Sequence, residues 1–200
     1  MFNCGEESFT HHYLGRWFGF GPARDTERVI YAVFQKAPRN GNLLNENSFE
    51  NNKLKKNSQS LARASWVTRR QFDRKIVRRD TSSNGPMVGI AYADVAKVRA
   101  LRVDVKLNTG TKNVRAICVL DRVESGDCAG HATMGYEWAG QLNLSQAQVA
   151  TIRKKIRYDL ANTFSEVIEP SAQQWPRIWD LVFGRALSIA RVLRETGLRR

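Results

Sequence analysis

The sequence predicts an α+β fold, a small, mainly antiparallel sheet with two C-terminal helices packed on it. Three observations carry this expectation. Residues 29–34 (Val-Ile-Tyr-Ala-Val-Phe) form an unbroken β-branched and aromatic run, the composition of a buried strand. Residues 101–107 alternate Leu101, Val103, Val105 and Leu107 with Arg102, Asp104 and Lys106, the period of a half-buried antiparallel strand. Beyond residue 145, apolar side chains recur at helical spacing in two blocks.

Taken in order, the chain opens with an aromatic cluster over residues 9–20, broken by glycines and closed by the turn signal Gly21-Pro22. Such a cluster is ordinarily core, and Trp17, Phe18 and the later Trp66 would be the side chains able to stack on bases. After the first strand, residues 36–60 turn rich in asparagine, which predicts a flexible loop or linker. Residues 61–80 read as a basic helical segment. Thr68 and Gln71 have the spacing of a capping box, and Phe72 and Ile76 would pin one helical face.

Residues 81–86 have loop composition, and 87–91 a short strand; 94–100 fits either a helix or a strand. The alternating strand at 101–107 is followed by a hairpin loop, a return strand over 114–123, a turn, and a third strand over 131–138. A meander over about 87–138 is the centre of the predicted fold. Ser145 and Gln148 form a second capping box, ahead of Val149, Ile152, Ile156, Leu160, Phe164 and Val167 at helical spacing, with Pro170 as the stop. A last helix is expected over about 176–196, ended by Gly197. The 200 residues are read as a single domain.

Charge points to a partner. The formal net charge is +13 and the isoelectric point near 10.2. Residues 53–79 hold ten cations against one acid, Asp73, and so supply +9 of that total. A polyanion is the expected ligand, with DNA and RNA undistinguished and an anionic membrane surface the weaker choice. Arginine's planar fork matches phosphate oxygens, so the expected contacts are Lys55, Lys56, Arg63, Arg69, Arg70, Arg74, Lys75, Arg78 and Arg79, helped by Arg153, Lys154 and Arg157 on the later helix. The bland alternative is a solvated basic face on an ordinary helix.

Enzyme chemistry has a weaker footing. Asp121, Glu124, Asp127 and His131 fall within eleven residues at a turn, where they could hold a divalent metal for phosphodiester hydrolysis, as in a small nuclease or toxin-like effector. The sequence demands no cofactor beyond that metal. Asp104-Val-Lys106, with Asp94, matches half of the PD-(D/E)XK nuclease pattern without its Pro-Asp. Cys128 and His131, with Cys4, His11 and His12, make a poor zinc set, and Cys118 reads as a buried small apolar side chain. A third reading makes the chain an interaction subunit of a larger assembly. Three cysteines, no signal-like N-terminus and no membrane-length apolar run predict a cytoplasmic or otherwise intracellular protein with no membrane partner.

Overall fold

Strand β1 (Arg28–Phe34) buries six of its seven residues, and β9 (His131–Tyr136) buries all six. A strand with no exposed face must be covered on both sides, so these two belong to the interior of a layered molecule. The computed structural model describes residues 23–56, 58–107, 109–121, 130–137 and 144–171. The aromatic cluster at 9–20 and the expected helix at 176–196 lie outside them.

Between β1 and β9 the chain builds β2 (Arg39–Asn40), β3 (Leu43–Leu44), a 3-10 turn (Glu46–Ser48), α1 (Asn51–Lys55) and β4 (Gln59–Arg63). A helix over 69–84, here α2, follows; it consists of an α turn (Arg69–Phe72), a π turn (Asp73–Val77) and a further α segment (Arg78–Asn84). Then come β5 (Met87–Asp94), α3 (Val95–Ala100), β6 (Arg102–Leu107), β7 (Gly110–Arg115) and β8 (Ile117–Asp121). Helix α4 (Gln146–Ala161) closes the described part.

The large sheet is antiparallel, in the order β5-β1-β4-β9-β8. The α+β class therefore holds, but the strands are not joined as one meander. β1 and β4, distant in sequence from β5, β8 and β9, occupy its middle, and β6 pairs with β7 in a separate hairpin. The expected return strand at 114–123 breaks at Ala116 into the end of β7 and the start of β8. Ala116 carries the bonds that join the two sheets, donating to Leu101 O and accepting from Glu137 N. Residues 36–60, expected as a loop, hold β2, β3, the 3-10 turn, α1 and the start of β4, and 61–63 complete that strand rather than begin a helix.

Strand alternation sorts the core into two layers. Val29, Tyr31, Val33, Leu61, Ala132 and Met134 face α4, whose Ile156 and Leu160 pack on them with Phe164. Ile30, Ala32, Phe34, Ala62 and Ile90 face the opposite way, onto Phe72 and Ile76 of α2. Full burial of a side chain such as Phe72 contributes about 1.5–3 kcal/mol of transfer free energy. The sheet thus lies between the two helices.

Helix α4 ends nine residues before Pro170, at Ala161. The chain then crosses the outer edge of β5. Ser165 N donates to Tyr92 O (2.7 Å), and Ile168 exchanges two bonds of 2.9 Å with Ile90. Pairing with the open strand edge keeps backbone groups of this segment bonded and hides that edge. Gly89 permits the crossing, since a Cβ there would lie 2.5 Å from Val167 Cγ1 and 3.0 Å from Ile168 O.

β1 and β4 pair only through Val29–Arg63 and Ile30–Ala62. Beyond these pairs β1 continues against β5 and β4 against β9, and the two strands part. The gap is a cleft of about 250 Å³ lined by residues of both layers, among them Tyr31, Phe34, Lys36, Lys53, Ser60 and Ile76.

Candidate nucleic-acid interface

Helix α2 starts where its sequence says it should. Thr68 Oγ1 accepts from Gln71 N, and Gln71 Oε1 accepts from Thr68 N at 3.0 Å, closing the capping box. Phe72 and Ile76 are buried on the sheet, so the opposite side of the helix must face water. Arg70, Arg74 and Arg78 stand on that side, all exposed. A four-residue step in an α-helix overshoots one turn by about 40°. The wider π turn undershoots, so an α–π–α succession keeps the 70–74–78 row straight, as it does the buried pair at 72 and 76. Among the described residues none of these three guanidinium groups has an acidic partner.

Their neighbours differ. Arg69 is half-buried, holds both oxygens of Asp73 at 2.8 Å, and reaches Pro170 O at 3.4 Å. Arg63 lies inside the molecule at 1 % exposure. Its guanidinium grips Glu27 through two bonds of 2.7 Å and covers the Trp66 ring at 4.8 Å from the centroid. Arg63, expected to contact phosphate, is a structural cation in this fold, and Trp66, expected as a free stacking platform, already carries it. The side chains of Lys75 and Arg79 lie outside the described residues.

The remaining cations are on the other side of the sheet. Helix α1 buries Leu54 in the same layer as Ile156 and Leu160 of α4, which puts Lys55, Lys56 and Lys154 there, all exposed. Arg153 and Arg157 are not on an open face but partly buried around Tyr136, itself 3 % exposed. Arg153 stands over the ring at 5.5 Å, Arg157 is near enough for its charge to act on the phenol, and the hydroxyl donates to Asn51 Oδ1 at 3.1 Å. Burial pushes the Tyr136 phenol above its ordinary value, opposed by Arg157 and Arg153. The fold therefore separates the α2 cations from those of α1 and α4 by the thickness of a sheet. Tyr136 and Asn51 were not legible as site residues, because Tyr136 meets Arg153 and Arg157 only across the packing of β9 on α4, and Asn51 meets Tyr136 from 85 residues away.

Of the expected catalytic quartet, only the side chain of His131 lies within the described residues. His131 opens β9, 5 % exposed, on the α2 side, as its pairing with Ala62 requires. Asp121 ends β8, but its side chain lies outside the described part, as do Glu124 and Asp127. Asp94 is paired with Lys97 at 3.1 Å, and Asp104 accepts from Asn113 at 2.6 Å on the separate hairpin. Among the described residues no three His, Cys, Asp or Glu side chains gather as a metal site. Cys118, expected as a free apolar side chain, is 4 % exposed and disulfide-bonded. Disulfides persist in oxidising surroundings, so cysteine usage no longer argues for a reducing compartment. Among the described residues no helix is long and apolar enough to cross a membrane.

The chain matches no protein-family model, and no curated protein or solved structure matches it.

Proposed function

We propose that this chain binds nucleic acid through the outer face of α2, with Arg70, Arg74 and Arg78 on phosphate oxygens. One observation carries the reading. Three exposed arginines stand at four-residue spacing, without acidic partners among the described residues, on a helix fixed from behind by Phe72 and Ile76. A surface arginine is free to choose a partner, and three in register define a line rather than a cloud of charge. Four α-helical residues rise about 6 Å, and the π turn shortens the step between Arg74 and Arg78, leaving spacings comparable to those of successive phosphates on one strand. Phosphate contacts position a ligand without reading its sequence, so affinity rather than base specificity is the expected property. Lys55, Lys56 and Lys154 lie across the sheet and engage only a ligand that wraps the molecule.

The test is a binding titration against single- and double-stranded DNA and RNA across salt concentrations, on protein freed of co-purifying nucleic acid. Loss of three phosphate contacts in a variant with Arg70, Arg74 and Arg78 all changed to Ala lowers the slope of log K against log salt by roughly 3 on duplex. An unchanged slope removes α2 from the interface. Absence of binding at moderate salt overturns the reading in favour of an assembly subunit. Metal-dependent cleavage of the substrate would move the function to a nuclease.

A further inference from the structure

Arg153 and Arg157 present an electrostatic problem that the fold leaves open. Both are partly buried, and the Nε–H of each is shut from water without a hydrogen-bond acceptor among the described residues. The only acid on α4, Asp159, is taken by Lys155 at 2.9 Å. Glu50 is taken by Lys53 at 2.7 Å on the adjoining α1 segment, and Glu137 faces Arg115 at 3.4 Å. Two guanidinium groups one helical turn apart thus stand near one phenol, with a side-chain amide beyond it, and among the described residues neither has a hydrogen bond or ion pair to a carboxylate. Bringing like charges together away from water is unfavourable unless an anion joins them.

We infer that Arg153 and Arg157, with Tyr136 and Asn51, form a site for a phosphate-type oxyanion on the α4 side of the sheet. A tetrahedral anion offers enough acceptor oxygens to take bonds from both arginine forks at once, including the two Nε–H groups now unsatisfied. The Tyr136 hydroxyl, held by Asn51 Oδ1 at 3.1 Å, closes one wall. The site is independent of the α2 row, since the sheet separates them, and it explains why these arginines are drawn in while Lys154 and Lys155 beside them stay in water. The anion is either a free small phosphate or the terminal phosphate of a nucleic acid, the chemistry at the arginines being the same.

Thermal unfolding of the full chain in inorganic phosphate, against chloride at equal ionic strength, tests the site. A midpoint rise of roughly 2–4 °C at saturating phosphate is expected. It should vanish with Arg153→Gln plus Arg157→Gln and survive the triple alanine variant of α2. Should the glutamine pair fail to fold, Arg153→Lys plus Arg157→Lys keeps both charges but removes the Nε–H donors, and the rise should shrink. Equal midpoints in phosphate and chloride, or a rise that persists in the substituted pair, overturns the inference. A trinucleotide with and without a 5′-phosphate separates the sources. A rise confined to the phosphorylated form, beyond that of inorganic phosphate, identifies a strand end, and equal rises identify a free anion.

Discussion

Helices α2 and α4 begin alike and end in different relations to water. Each opens on a closed capping box, each lays an i, i+4 apolar pair on the sheet, and each carries arginines at the same spacing. On α2 the arginines at 70, 74 and 78 point away from the sheet. On α4 those at 153 and 157 flank the buried residues and are drawn under the edge of the layer, against Tyr136. The difference lies in the surroundings. Phe72 and Ile76, with Val77 beside them, seat α2 and leave Arg70, Arg74 and Arg78 exposed, whereas Val149 and Ile152 of α4 join Ile156 and Leu160 on the core and Arg153 and Arg157 beside them are half-buried. Counting charges along a helix thus says how many cations there are. Which of them a ligand can reach is decided by the breadth of the buried face and by what stands beside it.

Breaking the seat of α2 gives the largest effect. Phe72→Ala should cost about 3–5 kcal/mol in chemical denaturation and weaken nucleic-acid binding through loss of the helix. Arg63→Ala should cost a similar amount, roughly 3–5 kcal/mol, because it strands the Glu27 carboxylate and uncovers Trp66. Arg70→Ala, the same chemical change on the open face, should stay within about 0.5 kcal/mol of wild type. That contrast is the sharpest single check of which arginines are structural. Thr68→Ala removes the cap of α2 and should cost about 1 kcal/mol, with nucleic-acid affinity falling less than in the triple arginine variant.

The smallest effect belongs to the α4 side and is confined to alkaline pH. The Tyr136 phenol is raised in the folded protein, so the unfolded chain loses that proton first. The stability involved is fully present below pH 10 and falls as pH climbs from there towards the raised folded value. Arg153 and Arg157 on α4, and the uncharged Asn51 on α1, are the groups that face it. Tyr136→Phe should flatten this part of the stability profile. A profile that keeps its wild-type fall would assign the fall to Tyr92, whose phenol burial also raises.

What the sequence revealed was local. The capping boxes at Thr68 and Ser145, the Phe72–Ile76 pair, and the alternation through Val103 and Val105 all depend on neighbours within a few residues, and each stands as expected. What stayed hidden was long-range. Glu27 and Arg63 are 36 residues apart and meet only because β1 and β4 pair. Helix α4 carries an apolar pattern that continues through Phe164 and Val167, yet it stops at Ala161, and the next residues pair with the edge of β5 instead. The divided return strand at Ala116 has the same origin, since only the folded sheet shows that its two halves have different neighbours. The expected phosphate contacts were sorted by the same long-range packing, with Arg63 taken inside and Arg153 and Arg157 drawn half under.

The parting of β1 from β4 makes the middle of the sheet its mechanical fault line. Two residue pairs join the halves, and past them each strand holds only its outer neighbour. Helix α2 lies across this fault like a splint, with Phe72 and Ile76 packed among Ile30, Ala32 and Phe34 from one half and Ala62 from the other. The element that offers its arginines to a polyanion is therefore one of the two helices that hold the sheet's halves together, with α4 on the opposite face. A ligand that holds α2 still also clamps the fold, and one that pulls it outward works directly on the weakest join.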